Sequence, residues 1–500
     1  MASNRISRID RIEWGQRPLE QQPGEVILYD VIRIALIAWL ALSITACATR
    51  HPIVGIAIEG VTVIDAVHGT RADQRVVTRG DRIVWVGPMS EAAPAVKQVV
   101  DGRGRYLIPG LWDAHVHFLY DPELTDSMAA LFLAYGITSV RDTGGDLERL
   151  VEIRSEWAAT GAAAPRLFVS GPLLDGEYVV YDGATAAQPE LGTSLPDVEA
   201  ARAKVRWLHS KGADFIKVYE LVSPAVFEAL VAEARALELP IASHVPLSMT
   251  ADVAGPETGS MEHLRNLELA CASNWRALLA ARRARIESFE GARGFELRRE
   301  LHASQRLPAI AAYDADRCRR VLATLRQTMQ VPTLRLNAFN RSRPDRKPEW
   351  RAALGALPVA VQQRWHRLVE DLDLGGARSD MRFADWSFFL VGEMVGQRVP
   401  IAAGTDTPIR LAIPGESLHR ELELLVHSGL TTREALFAAT VAPARFFSLE
   451  DEMGQIAPGM RADLVLLGAN PLVDIRHTRR IEGVMSRGQW LPKRVDQSSR

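Results

Sequence analysis

Residues 106–117 read YLIPGLWDAHVH. Pro109 and Gly110 make a turn, and the run that follows, LWDAHVHFL (111–119), reads as a buried strand. His115 and His117 stand two apart, so on a strand both side chains point to one face. Working outward, short apolar runs alternate with helical stretches: TSVRDTG (138–144), RLFVSG (166–171), FIKVYE (215–220), IASHVP (241–246), SMEHL (260–264), VPTLRL (331–336) and IAAGTD (401–406). Eight β-then-α units predict an α/β fold, a (β/α)8 TIM barrel. The histidine pair then sits at the C-terminal end of the first barrel strand, the end that carries active sites.

The barrel is expected over 109–454, with helical insertions near 265–330 and 337–395 and a loop over its mouth at 172–194. Residues 53–108 and 455–493 are strand-like, with β-branched residues alternating with polar ones and glycine-marked turns. They predict a small β-sandwich domain built from both chain ends.

The chain has 500 residues, 47% hydrophobic and 24% charged, the composition of a globular protein rather than a disordered or polytopic membrane one. Lys+Arg (59) nearly balances Asp+Glu (61), and without a basic excess no nucleic-acid partner is expected. The cysteines Cys47, Cys271 and Cys318 cannot build a disulfide scaffold or a cysteine-rich zinc site. Any metal must be held by His, Asp, Glu or a modified Lys. Residues 34–46, IALIAWLALSITA, are too short to span a bilayer but suit a signal-peptide core. Ile44-Thr45-Ala46-Cys47 resembles a bacterial lipobox, which implies a signal peptide within 1–47, lipid on Cys47 and a place on the cell envelope, facing periplasm or exterior. A plain hydrophobic anchor helix is the alternative, and translation from Val26 or Val31 would give a more compact signal.

Four further strand ends carry metal-ligand chemistry. Lys217 lies in an apolar strand, where a lysine is costly unless paired or modified, or else snorkels out. His244 and His263 end strands five and six, and Asp406 ends strand eight. Taken singly, each has a plain structural reading: a satisfied core histidine, or a turn aspartate. Their joint placement at one mouth, with His115 and His117, points to a divalent-cation site.

The motifs PGLWDAHVH, FIKVY, SHVP, EHL and AAGTDT, followed by LHRELELLVHSGLTTREALFAATVAPA and GQIAPGMRADLVLLGANPL, resemble the amidohydrolase superfamily over residues 53–493. Within it they look closest to imidazolonepropionase-like and prolidase-like metal-dependent hydrolases. The resemblance implies one metal on His115, His117 and Asp406, a second on His244 and His263, and a carboxylated Lys217 bridging two Zn2+ ions. A mononuclear site with unmodified Lys217 stays open. It also implies cleavage of a C–N amide bond in a small substrate such as a dipeptide or N-acyl amino acid, with Asp406 as proton shuttle. Tyr219, two residues beyond Lys217, faces the same way and is a candidate donor to substrate, or a packed barrel tyrosine. A cyclic amide, a lactone or another ester are alternative substrates; a lipid-anchored binding protein on a relic barrel is the non-enzymatic one. Homo-oligomerisation is left open. Arg141 and Asp142 read as a structural ion pair, His419 as solvent-facing, and His302 as without a role. Leu418, Leu422 and Leu425 repeat at helical spacing and read as core.

Overall fold

The computed structural model describes residues 55–374 and 380–493. Cys47 and its surroundings lie outside the described residues. Among those described, no helix is long and apolar enough to cross a membrane.

Strands from the two β-rich ends pair in one eight-stranded sheet. Gly55–Asp65 pairs antiparallel with Gly69–Arg79, which pairs with Arg82–Pro88. The ends are stitched where Tyr106–Pro109 runs antiparallel to Leu464–Leu467. Alternation does the sorting: Val61, Val63, Leu464 and Leu466 turn to a common core with Ile58, Val76 and Met485. Strand pairing makes one connected sheet of the region where the sequence predicts a sandwich.

The middle of the chain holds two parallel sheets. One comprises Leu111–Val116, Ile137–Asp142 and Arg166–Val169. The other runs in the order Gly192–Ser194, Leu173–Asp175, Ile216–Val218, Ile241–Ser243, Ser260–Glu262, Met329–Val331. Segment 400–407 links them: Gln330 N–H donates to Pro400 O (2.8 Å), and Ala114 N–H donates to Ala403 O (2.9 Å). These strands form no single closed ladder among the described residues. The expected eighth strand contributes only bridges to Gln330 and Val116. The reason is local: Asp406 has φ 60°, and Pro408 has no N–H to give a ladder. The seventh strand also falls earlier than expected, at Met329–Val331. Pro332 and a left-handed Thr333 (φ 46°) end it, and Leu334–Asn337 is a short helix.

Helix starts follow their caps. Asp121, Asp146, Asp197 and Ser223 each accept from a first-turn backbone N–H, and Thr431 with Glu434 makes a full capping box. Both expected insertions are helical, chiefly Trp275–Glu287, Gly294–Ala311 and Ala315–Thr324, then Val359–Leu374 and Arg382–Gly396. The mouth loop carries a small hairpin, Asp182–Thr185 with Gln188–Glu190.

Cys271 and Cys318 form one disulfide across a separation of 47 residues, pinning the start of the first insertion to its last helix. A cross-link of this span restricts the unfolded chain, an effect of about 2–4 kcal/mol. The double variant Cys271→Ser/Cys318→Ser should lose that much stability in urea unfolding. Mass spectrometry after alkylation with and without reductant checks that the bond is present in the wild type.

Candidate active site

The site is built where the parallel strands end. His115 and His117 are buried on the first strand. Asp113, on the same face one pair earlier, accepts from Thr405 N–H (2.9 Å) and Thr405 Oγ1–H (2.6 Å). Burial pushes its pKa up to about 7, although the Thr405 hydroxyl opposes the rise. This bond ties the irregular 400–407 segment to the first strand, and Asp406 N–H then donates to His115 O (2.7 Å). Asp406 Oδ1 thereby lies 3.3 Å from His115 Nε2 and 3.2 Å from His117 Nε2. Burial pushes the Asp406 pKa up, but His263, His115 and His117 outweigh it and hold the group well below the usual carboxylate range.

The four predicted histidines share one feature: Nδ1 is engaged away from the cavity. His115 Nδ1 donates to Glu262 Oε2 (2.6 Å), His117 Nδ1 to Gly144 O (3.0 Å) and His244 Nδ1 to Glu220 Oε1 (2.9 Å). His263 Nδ1 pairs with Thr333 Oγ1 (2.7 Å). In a neutral ring this leaves the Nε2 lone pair for a cation. His244 is held neutral: burial and the Lys217 charge bring its pKa down to about 3. Burial, then His115, holds His263 well below the ordinary value too.

Lys217 is fully buried, and its Nζ has no hydrogen-bond partner among the described residues. Burial lowers its pKa to about 8. It lines one cavity with His115, His117, His244, His263 and Asp406, so the structure gathers all six expected ligand residues there. Tyr219 and Tyr181 line it too, as do Leu173, Leu191, Ile409 and Arg265. The Tyr219 ring lies 4.4 Å from His244 and 5.9 Å from Tyr181. Burial holds its hydroxyl pKa well above the ordinary value, so the proton stays available to donate. The donor set fits a divalent cation: ligand atoms of His115, His263 and Asp406 fall within 4.8 Å of one another, and the orphaned Lys217 amine is a buried polar group with no other account.

Three readings change. Arg141 is structural, but its partner is not Asp142: it donates to Glu262 Oε1 (2.7 Å), Ser260 Oγ (2.9 Å) and Ala114 O (2.6 Å). Asp142 instead accepts from Phe118 N–H and Gly144 N–H. Adjacent strand residues face opposite sides, which separates the two. His419 is buried, not solvent-facing, and bridges Thr478 Oγ1 and Tyr135 O. Its helix packs against the stretch Ile475–Arg479, so that face has no access to water. His302, expected to be idle, reaches Glu220 from the insertion, with Nε2 2.7 Å from Oε2 though outside hydrogen-bond geometry. Leu418, Leu422 and Leu425 are core as expected.

Sequence reasoning missed Glu262 and Glu220, which directly follow Met261 and Tyr219. Alternation assigns neighbours to opposite faces, but both strands stop there, and His263 turns left-handed (φ 64°). Losing the outer partner of a ligating histidine typically costs ~10–100-fold in metal affinity. Glu262→Gln and Glu220→Gln should each weaken retention of a bound divalent cation by that order in a chelator competition, while circular dichroism stays native.

The model for "Amidohydrolase family" matches residues 344–491. Imidazolonepropionase of Streptomyces griseus is 25% identical over 419 residues, covering 80% of this chain and 87% of that protein. Among solved structures, a Xaa-Pro dipeptidase with bound methionine in the active site superposes with TM-score 0.62 at 18% identity, covering 88% of this chain and 100% of that one. Bottromycin amidohydrolase superposes with TM-score 0.63 at 24% identity, covering 87% of each chain. These likenesses are those of a TIM-barrel-like α/β fold. Together with the cavity at the strand ends, they make the chain similar over most of its length to hydrolases of the amidohydrolase superfamily.

Proposed function

We propose that this protein cleaves the amide bond of a small substrate, a dipeptide or an N-acyl amino acid, with divalent cations held by His115, His117, His244, His263, Asp406 and a carboxylated Lys217. The observation that carries this reading is the gathering of those six side chains in one cavity, with every imidazole tethered through Nδ1 and the Lys217 amine unpartnered. Fold and domains follow the same reading: a TIM barrel over 109–454 whose last strand is irregular, beside a small β domain from both chain ends.

A bound divalent cation supplies a water of lowered pKa and polarises the scissile carbonyl. Asp406, ionised, accepts the proton of the attacking water and returns it to the leaving nitrogen. The Tyr219 hydroxyl, kept protonated by burial, donates to the carbonyl oxygen as charge develops there. Lys217, with its pKa lowered to about 8, is neutral in about a tenth of the molecules at pH 7. The neutral amine adds to CO2 and releases one proton, leaving an anionic carbamate that would help hold the divalent cations. An ammonium could ligate none of them. A binding module that had lost catalysis has no support here, since each ligand position holds a ligand-competent side chain.

Asp406→Asn should lower kcat by at least ~10²–10⁴-fold in a folded enzyme, with metal counted on the same sample because the residue also ligates. Near-normal turnover of N-acyl amino acids and dipeptides by the variant would remove the shuttle role. Lys217→Ala should lower the metal content from about two per chain, with partial recovery in added short carboxylic acid. Faster wild-type turnover of lactones or organophosphate esters than of any amide would favour the ester reading.

The location proposed for the enzyme is the cell envelope, by lipid on Cys47. The Cys271–Cys318 disulfide supports an oxidising compartment. Cys47→Ser should release the protein from the membrane fraction or block its processing; unchanged fractionation with an intact N-terminus by mass spectrometry would sink the idea.

A further inference from the structure

We propose that Arg265 anchors a carboxylate of the substrate, so that the enzyme acts on acylated amino acids with a free carboxylate and an apolar side chain. The inference rests on the amide-hydrolase reading and narrows its substrate class.

The cavity lining offers two cations, Lys217 and Arg265. The first is taken by the metal site. Arg265 stands just past His263 on a turn in which His263, Leu264 and Asn266 all have positive φ (64°, 58° and 65°). Such backbone in non-glycine residues is strained and persists only where its surroundings enforce it. Asn266 does so: its Nδ2 donates to Val245 O (2.8 Å), and its Oδ1 accepts from Arg282 Nη1 (2.9 Å). Arg265 is therefore carried on a fixed turn at the cavity wall.

Charge accounting leaves this guanidinium unmatched. Its hydrogen bond among the described residues is a long one, Nη1–H to Glu220 Oε1 at 3.3 Å. Glu220 also accepts from Arg298 Nε (2.9 Å) and His244 Nδ1 (2.9 Å). Arg298 is the closer and more deeply buried guanidinium, and one carboxylate cannot neutralise both. A guanidinium has five N–H donors, and most of those on Arg265 have no acceptor among the described residues. Its side chain is 18% exposed, open to the cavity. A carboxylate arriving there gains a charge-assisted pair of hydrogen bonds in a poorly hydrated place. The same cavity is lined by an anionic group, Asp406, beside His115 and His117. The lining thus carries an anionic group at Asp406 and a cationic one at Arg265. Leu173, Leu191 and Ile409 form apolar wall between tyrosines, which suits an aliphatic side chain rather than a charged one.

The test compares N-acetyl-L-leucine with N-acetyl-L-leucinamide, both as substrates for hydrolysis of the acetyl amide bond and as ligands in isothermal titration. Arg265→Met and Arg265→Lys are measured beside the wild type. A hydrogen-bonded charge of this kind is worth on the order of 10- to 100-fold. Wild-type enzyme should favour the free acid by that factor in kcat/KM. Arg265→Met should lose the preference by weakening the acid alone, and Arg265→Lys should recover part of it, all at unchanged metal content. Equal losses on acid and carboxamide, or a drop in bound metal, would show a structural role and overturn the proposal. If the wild type hydrolyses neither compound, the function reading fails on these compounds while the anchor is still decided by titration. Binding of the acid that Arg265→Met abolishes supports it; no binding, or binding the variant keeps, overturns it.

Discussion

The buried chain Arg141–Glu262–His115 is the constraint on which the site depends. It joins the second, sixth and first parallel strands through bonds of 2.7 and 2.6 Å, and all three side chains are essentially inaccessible to water. Burying a guanidinium and a carboxylate together costs several kcal/mol per ion before their attraction is counted. The cost is met only with all partners in place: Ala114 O and Ser260 Oγ complete the arginine, and the rings of Phe446 and Phe215 lie 4.6 and 5.5 Å from its guanidinium carbon. With Glu262 fixed, His115 has one tautomer and one orientation, and Asp406 can be referenced to it.

The same logic repeats with weaker partners around the cavity. A backbone carbonyl serves His117 and a hydroxyl serves His263, so only His115 and His244 have carboxylates behind them. A carboxylate makes an imidazole more basic and a better electron donor. Each of the two expected cation positions thus has one strengthened and one ordinary histidine. Asp113 does for the backbone what these groups do for the rings: it replaces the missing ladder bonds of the last strand with bonds to Thr405. The departure from regular strand there is what lets Asp406 face the histidines.

The sequence was legible where period and chemistry coincided. His115 and His117 follow from strand alternation alone, and the strand-end residues Lys217, His244, His263 and Asp406 follow from the β-then-α rhythm; all six meet in one cavity. What could not be read depends on the ends of strands, where the period stops. Glu220 and Glu262 sit one step past the alternating rule, and the left-handed turn at His263 brings ligand and support to the same side. Arg141 was assigned its chain neighbour because an ion pair with Asp142 needs no tertiary knowledge, whereas its true partner is 121 residues away. The eighth strand was overread because IAAGTD is apolar enough for a strand, while the proline that follows and the turn at Asp406 prevent one. Two sheets instead of a closed ladder are a matter of edge pairing, which composition does not encode.

The insertion after the sixth strand was visible only as a helical stretch, yet it is wired into the chemistry. Arg298 and His302 are four apart on Gly294–Ala311 and so share a face; both meet Glu220, the carboxylate behind His244. Just before that helix, Arg293 clamps Asp182 through two bonds of 2.9 Å, and Tyr178 O–H donates to Phe289 O (3.0 Å). These contacts hold the mouth loop, which brings Tyr181 and Leu191 to the cavity wall. One inserted element therefore sets both the wall a substrate must fit and the orientation of a ligand that must act on it. A change in the helix that loosened the mouth would also loosen the support of His244, because Glu220 and Asp182 are both held from this one insertion.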